Sequence, residues 1–170
     1  VNNKECHKKN RNKMNLPKQL KKENLESEVL AALAKESIEL YPESEIQIPL
    51  LTLTQELRTQ IFYAKSLSEL IFGYDTIAKS LDDELQGLKK LESQNERVSR
   101  LLLVTNDASK QFYRELKFLM KRQDTRLLIC RLDVDSLLMG NILGFKTRNI
   151  NAVLLNRKKS VTSVLKSLVT

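Results

Sequence analysis

The stretch Leu101-Leu102-Leu103-Val104-Thr105-Asn106-Asp107-Ala108-Ser109, with Phe112, Leu116, Leu119 and Met120 beyond it, decides how this chain folds. Four consecutive apolar residues of strand length suit a strand buried on both faces. Asn106, Asp107 and Ser109 are residues that cap helices, and the apolar positions after them fall at helical spacing. The same alternation continues to the C-terminus. Leu127–Cys130 is a second apolar run, Asp133 to Ser136 opens a short helix ending at Gly144, Ala152–Leu155 is a third run, and Val161, Val164, Leu165, Leu168 and Val169 mark a closing helix. Strands alternating with helices predict an α/β fold with helices on both faces of a sheet.

Working back toward the N-terminus, Ile77, Leu81, Leu85 and Leu88 predict a helix after Gly73, with a polar stretch at 86–99 that extends it or forms a surface insertion. Leu70–Phe72 is a short apolar run, and Leu53, Leu57, Ile61 and Ala64 form an earlier helical face. Leu25, Val29, Ala32, Leu33 and Leu40 predict an amphipathic helix over 24–40, ended by Pro42. Residues 42–52 read as an extended linker, and 1–23 as a basic, mobile arm. The expected domain plan is therefore arm 1–23, helix and linker 24–53, and a folded domain from 54 to 170.

The sequence has 170 residues, 29 Lys and Arg against 21 Asp and Glu, and a net charge of +8. The excess sits at the ends: residues 1–22 carry +7, residues 146–170 carry +6, and the body between carries −5. Clustered cations beside a mildly acidic body suit a polyanion such as nucleic acid, although charge runs also serve simply to solvate a surface. A membrane-surface arm is disfavoured because residues 1–22 offer few apolar anchors, and no apolar run approaches the ~18 residues of a membrane span. The chain begins with Val, so further sequence is expected upstream, and no secretory signal pattern is read after it. Cys6 and Cys130 make no disulfide framework, which suits a reducing compartment. One histidine, His7, cannot build a His-based metal site or a Ser–His–Asp triad in the core. No metal, cofactor or small-molecule substrate is expected.

Three constellations have competing readings. Asp133-x-Asp135-Ser136 resembles the carboxylate pair of phosphoaspartyl hydrolases, but helix capping explains it as well. Gly140-x-x-x-Gly144 lacks the apolar surroundings of a membrane dimer motif. The aromatics Phe62, Tyr63, Phe72, Tyr74, Phe112, Tyr113, Phe118 and Phe145 stand mostly at core spacing; Tyr74 and Phe145, beside glycines, have base stacking as a second reading to core packing, which is the favoured one.

Three segments in order carry a resemblance. Phe72-Gly73-Tyr74-Asp75-Thr76-Ile77-Ala78-Lys79 is similar to a Gly-x-Asn-Glu-x-Thr-Lys helix start. Leu102–Ser109 is similar to a strand followed by an Asp-Ala-Ser turn, and Met139–Gly144 to Leu-Gly-x-Ala-x-Gly. In these segments, residues 54–170 resemble the L7Ae superfamily of RNA-binding ribosomal and ribonucleoprotein proteins. The resemblance implies a three-layer α/β/α sandwich with a mixed sheet, here with an N-terminal helical extension. It also implies a grip on bent RNA, in which the glycine-started helix offers its N-terminus to phosphate and the loop after the second glycine packs on flipped-out nucleotides. Carried onto this chain, the expected RNA-binding residues are Lys65, Gly73, Tyr74, Asp75, Thr76, Lys79, Phe145, Lys146, Thr147 and Arg148. Asp75 stands where the family has Asn and cannot donate a hydrogen bond when ionised. Thr76 replaces Glu, Ala78 replaces Thr, and only Gly73 and Lys79 keep the pattern. Recognition is accordingly expected to shift to Lys65, Lys79, Lys146, Arg148 and the basic ends, or to protein neighbours.

The long extension and the altered motif are most similar in habit to the L7Ae-like protein subunit of eukaryotic ribonuclease P and ribonuclease MRP. That branch implies a non-catalytic subunit in precursor tRNA and rRNA processing, located in the nucleus and nucleolus, whose partners are structured RNA and sibling protein subunits. Leu25, Val29 and Leu33 form the face expected to dock on such a protein partner. The alternatives are another L7Ae-like ribosomal or small nucleolar component, and a protein-interaction module of the same fold without direct RNA contact.

Overall fold

The computed structural model describes residues 14–91 and 96–169. Its core is a six-stranded mixed sheet: β1 (Ser37–Glu39), β2 (Gln47–Leu51), β3 (Leu70–Phe72), β4 (Arg100–Val104), β5 (Leu127–Leu132) and β6 (Ala152–Leu155), in the order β1-β2-β5-β4-β6-β3. β2, β5 and β4 run parallel to their neighbours in that group, whereas β6 is antiparallel to both β4 and β3, and β1 is antiparallel to β2.

Side chains alternate across this sheet with a period of two, as the pleat requires. Leu101, Leu103, Leu128, Cys130, Leu132, Val153 and Leu155 enter one core cluster; Leu102, Val104, Leu127, Ile129, Ala152 and Leu154 enter the other. The first layer of helices is α1 (Lys18–Lys22), α2 (Glu26–Ala34), α3 (Gln55–Ser66), α6 (Ser136–Ile142) and α7 (Lys158–Lys166). The second is α4 (Tyr74–Lys89) and α5 (Lys110–Gln123). The three-layer sandwich expected from the sequence is the architecture observed. Leu101 to Val104 are fully buried, and each such side chain stabilises the fold by roughly 1.5–3 kcal/mol.

Helix starts follow local chemistry. Thr54, Ser109 and Asp135 accept hydrogen bonds from Leu57 N, Phe112 N and Leu138 N, at 3.2, 3.1 and 2.7 Å. Each satisfies an N–H that the first helical turn leaves open. Asp135 is therefore used as a cap, and Asp133 accepts from the Asn106 amide at 3.3 Å. Among the described residues no group of three or more His, Cys, Asp or Glu is placed to hold a metal ion, and no helix is long and apolar enough to cross a membrane.

The first 53 residues depart from the expected plan. The helix over 24–40 stops at Ala34, because Leu40 belongs to the opposite face of the sheet from Val29 and Leu33. The chain has to leave the helix and cross the sheet edge to bury all three. The expected linker 42–52 contains β2, which pairs with β5 inside the sheet. The folded unit thus extends upstream of residue 54. Within the expected mobile arm, residues 14–23 are built into the fold, with Leu16 and Leu20 fully buried. The rest of that arm, including Cys6 and His7, lies outside the described residues. Val29 and Leu33 are buried and Leu25 packs against the same cluster. The face assigned to a partner is covered by the protein's own core.

Candidate nucleic-acid interface

β3 and β6 run antiparallel, pairing Phe72 with Val153, and Gly73 N donates to Ala152 O at 3.3 Å. Gly73 therefore sits at the end of the sheet where β6 begins, beside the segment arriving from α6. Its φ of +91° is left-handed, a conformation that glycine adopts without strain. It starts α4 with no side-chain cap, so N–H groups of the first turn remain available to an anion. Asp75 and Thr76 stand exposed in that turn. The Asp75 carboxylate suits the positive end of the helix but repels phosphate at the same point.

The turn after α6 is held from several sides. Gly144, also at φ +91°, donates to Asn141 O at 3.0 Å, and Phe145 N donates to Gly140 O at 2.9 Å. This pair of bonds is a Schellman ending, which reverses the chain at a helix C-terminus. The Asn141 side-chain amide lies 2.8 Å from Phe145 O and 3.2 Å from Lys146 O, placed to donate to both. Ile150 N donates to Ser136 O at 3.0 Å. At Gly140 the backbone is so close that an added Cβ would lie 1.8 Å from Arg148 O. Gly140, read from the sequence only as part of the Met139–Gly144 segment, is needed here for packing of the turn on α6.

These two segments meet. The Phe72 and Phe145 rings pack edge to face at 5.6 Å, and the Arg148 guanidinium lies 4.8 Å from the Phe72 ring and 5.1 Å from the Phe145 ring. Lys65 Nζ donates to Leu143 O at 2.5 Å and sits 4.5 Å from the Phe145 ring. The Gly73 helix start and the 145–148 turn thus form one rim. Gly73, Asp75, Thr76 and Lys79 on one side, and Lys146, Thr147 and Arg148 on the other, are exposed.

Three of the expected contact residues carry structural duties, Phe145 by packing half-buried on the first core and on Phe72. Lys65 is half-buried and closes an open carbonyl at the end of α6 while supporting Phe145. Tyr74 is half-buried and packs edge to face on Phe112 at 5.5 Å. Burial, followed by the nearby Glu115 charge, pushes its hydroxyl pKa up. Its ring belongs to the second core, not to a free stacking platform. Conversely, Phe62, Tyr63 and Phe118, read as core by spacing, are 50%, 56% and 57% exposed. Phe62 borders the rim, since a Cβ on Gly144 would lie 3.5 Å from its ring. Its position three residues before Lys65 on α3 was the available signal.

Behind the rim, Asp107 ties β4 to α6. It accepts from Ser136 N at 2.9 Å, the Ser136 hydroxyl at 2.8 Å and the Thr105 hydroxyl at 3.0 Å. Burial alone would raise its pKa, but the Ser136 N–H and the two hydroxyls outweigh it and hold the carboxyl below its ordinary value. Cys130 differs: burial pushes its thiol up, so it stays protonated and inert in the core.

No family model matches the chain, and no curated protein matches it. Among solved structures it is similar to a protein of unknown function from Bacillus halodurans C, at 10% identity and a TM-score of 0.49, covering 68% of this chain and 98% of that one. It is also similar to the Giardia lamblia 15.5kD RNA binding protein, at 12% identity and a TM-score of 0.47, covering 67% of this chain and 82% of that one.

Proposed function

We propose that the chain is a non-catalytic RNA-binding subunit of a ribonucleoprotein, and that the rim formed by Gly73–Lys79 and 145–148 is its RNA surface. The observation that carries this reading is the Arg148 guanidinium lying across both Phe72 and Phe145. It joins an uncapped helix start, which favours anions, to an exposed cationic turn on one edge. The aromatic support holds the guanidinium in place, and its plane remains suited to phosphate or to a base face. Within ribonucleoproteins we assign it to ribonuclease P or ribonuclease MRP, in the nucleus and nucleolus. The altered Asp75 and Thr76 and the sequence resemblance to the L7Ae superfamily support that choice. Chemistry in such particles would belong to the RNA, and this chain would stabilise RNA architecture and contact sibling subunits.

Gel-shift titration against an RNA helix interrupted by a sheared G·A internal loop tests the reading. Binding should weaken steeply with salt and fall at least tenfold on combined Lys79→Ala, Lys146→Ala and Arg148→Ala replacement. Unchanged binding would remove the rim from the RNA. A second reading, a protein-interaction module of the same fold, is favoured by the exposed Phe62, Tyr63 and Leu67 on and just after α3. Native complexes that co-purify without RNA would select it.

A further inference from the structure

The end of the sheet opposite Gly73 is the more cationic one. β4 and β5 begin there and β6 ends there, about 15 Å from the rim at the rise of a five-residue strand. Two adjoining clefts open at this end. One, of about 560 Å³, lies between α1 and α7; the other, of about 480 Å³, lies at the C-terminal ends of α4 and α5. They share Arg97, Ser99 and Lys158 as a common wall, and together ten Lys and Arg line them against three carboxylates.

Ion pairs engage four of these ten cations, Arg100, Arg122, Arg126 and Lys166, with Asp82 taken by Arg122 at 3.3 Å. Glu84 alone serves two guanidiniums, Arg100 at 3.0 Å and Arg126 at 2.5 Å. Arg126 is only 7% exposed, and its Nε has no hydrogen-bond partner. A net positive charge is thus held in the cleft floor, where screening is weak. Glu23 is taken by Lys166 at 2.7 Å. Lys18, Lys121, Lys158 and Lys159 are exposed and make no ion pair among the described residues. Parts of both basic ends of the sequence, Lys18 from one and Lys158, Lys159 and Lys166 from the other, come together here. The rim uses neither group.

We propose that this end of the sandwich is a second nucleic-acid surface, a groove that holds the phosphodiester backbone of an RNA segment separate from the one at the Gly73 rim. Closely spaced exposed lysines over a buried guanidinium floor suit repeating phosphates. An acidic protein tail would meet the same charge, but the cations follow one another along two joined clefts, which suits the evenly repeated charges of a phosphodiester backbone. The charge of the groove stands independently of the rim; the choice of RNA over another polyanion rests on the reading above.

The test uses the full chain and a fluorescent 12-nucleotide oligouridylate, which lacks the internal loop. Combined Lys121→Ala, Lys158→Ala and Lys159→Ala replacement should weaken binding at least tenfold and reduce the salt slope by about 2, the value for three single-strand phosphate contacts. The triple arginine variant should restore both, and an unchanged melting curve would exclude misfolding. Lys146→Ala with Arg148→Ala should leave oligouridylate affinity within twofold. The proposal is overturned if the alanine triple binds like the parent, if only the rim variant loses oligouridylate, or if a polyglutamate peptide of equal charge displaces the probe equally well. Loss of oligouridylate in the triple variant, with internal-loop RNA unaffected by rim variants, would retain the groove and refute the rim.

Discussion

The two ends of the sheet present cations in different ways. At the Gly73 end, few charges are exposed, and the backbone around them is fixed by a Schellman turn, the Asn141 amide and the close approach of Gly140 to Arg148. At the opposite end, many cations sit on helix termini, over a floor where one carboxylate serves two guanidiniums. A rigid, sparsely charged rim is suited to recognising shape. A dense set of exposed lysine side chains is suited to long-range attraction, which is sequence-independent and salt-sensitive. The contrast teaches that a count of cations does not describe a surface unless what holds them in place is known.

The sharpest way to break the comparison is at Gly140. Gly140→Ala places a methyl against the Arg148 carbonyl, and we expect a loss of ~3 kcal/mol in urea unfolding. Binding of internal-loop RNA should fall with it, whereas oligouridylate binding to folded protein should persist. Equal loss of both ligands would show that the two ends are not separate.

Asp107 comes next. Asp107→Ala removes the acceptor for Ser136 and Thr105, and should cost about 1–2 kcal/mol, at the lower end because the side chain is partly solvated. Its pKa is depressed in the folded state, so its contribution is complete above the ordinary value of 3.8 and is lost as pH falls through the lower folded value. Acid unfolding followed by circular dichroism should therefore show, for the variant, a weaker dependence on pH below about 4.

Arg148 tests the rim with less disturbance to the fold. Arg148→Ala should lower affinity for internal-loop RNA about tenfold while changing stability by no more than about 1 kcal/mol. Arg148→Lys should recover only part of the affinity, since an ammonium lacks the guanidinium plane. Full recovery would make the rim merely electrostatic, like the opposite end. The smallest effect is expected at Phe62. If a base stacks there, Phe62→Ala should weaken binding about fivefold, the lower end of a base–aromatic contact. Its melting temperature should stay near that of the parent, because the ring is half exposed.

Strands and helices from Leu101 onward were legible because each combines a period with a punctuating residue: Ser109 before α5, Asp135 before α6, Gly144 after it. The first 53 residues were harder. Leu40 continues the helical stripe of Val29 and Leu33 in sequence, yet it is buried across the sheet from them. Leu16 and Leu20 lie among lysines that read as a solvated arm, but their side chains fill the first core. At the rim, the Gly73 and Phe145 segments were legible as a pair. The internal duties of Lys65 and Tyr74 were not, because each depends on a partner more than 30 positions away.

Local pattern by itself determined the element types from Leu53 onward, the helix caps and the two cationic ends, since periodicity, capping and charge act over a few residues. Tertiary structure decided which cations stay free and which are consumed, that Gly140 is a packing glycine, and that part of each basic end meets at one groove. These outcomes depend on strand order and on which face each strand turns to its helices. Both are set by contacts between residues distant along the chain.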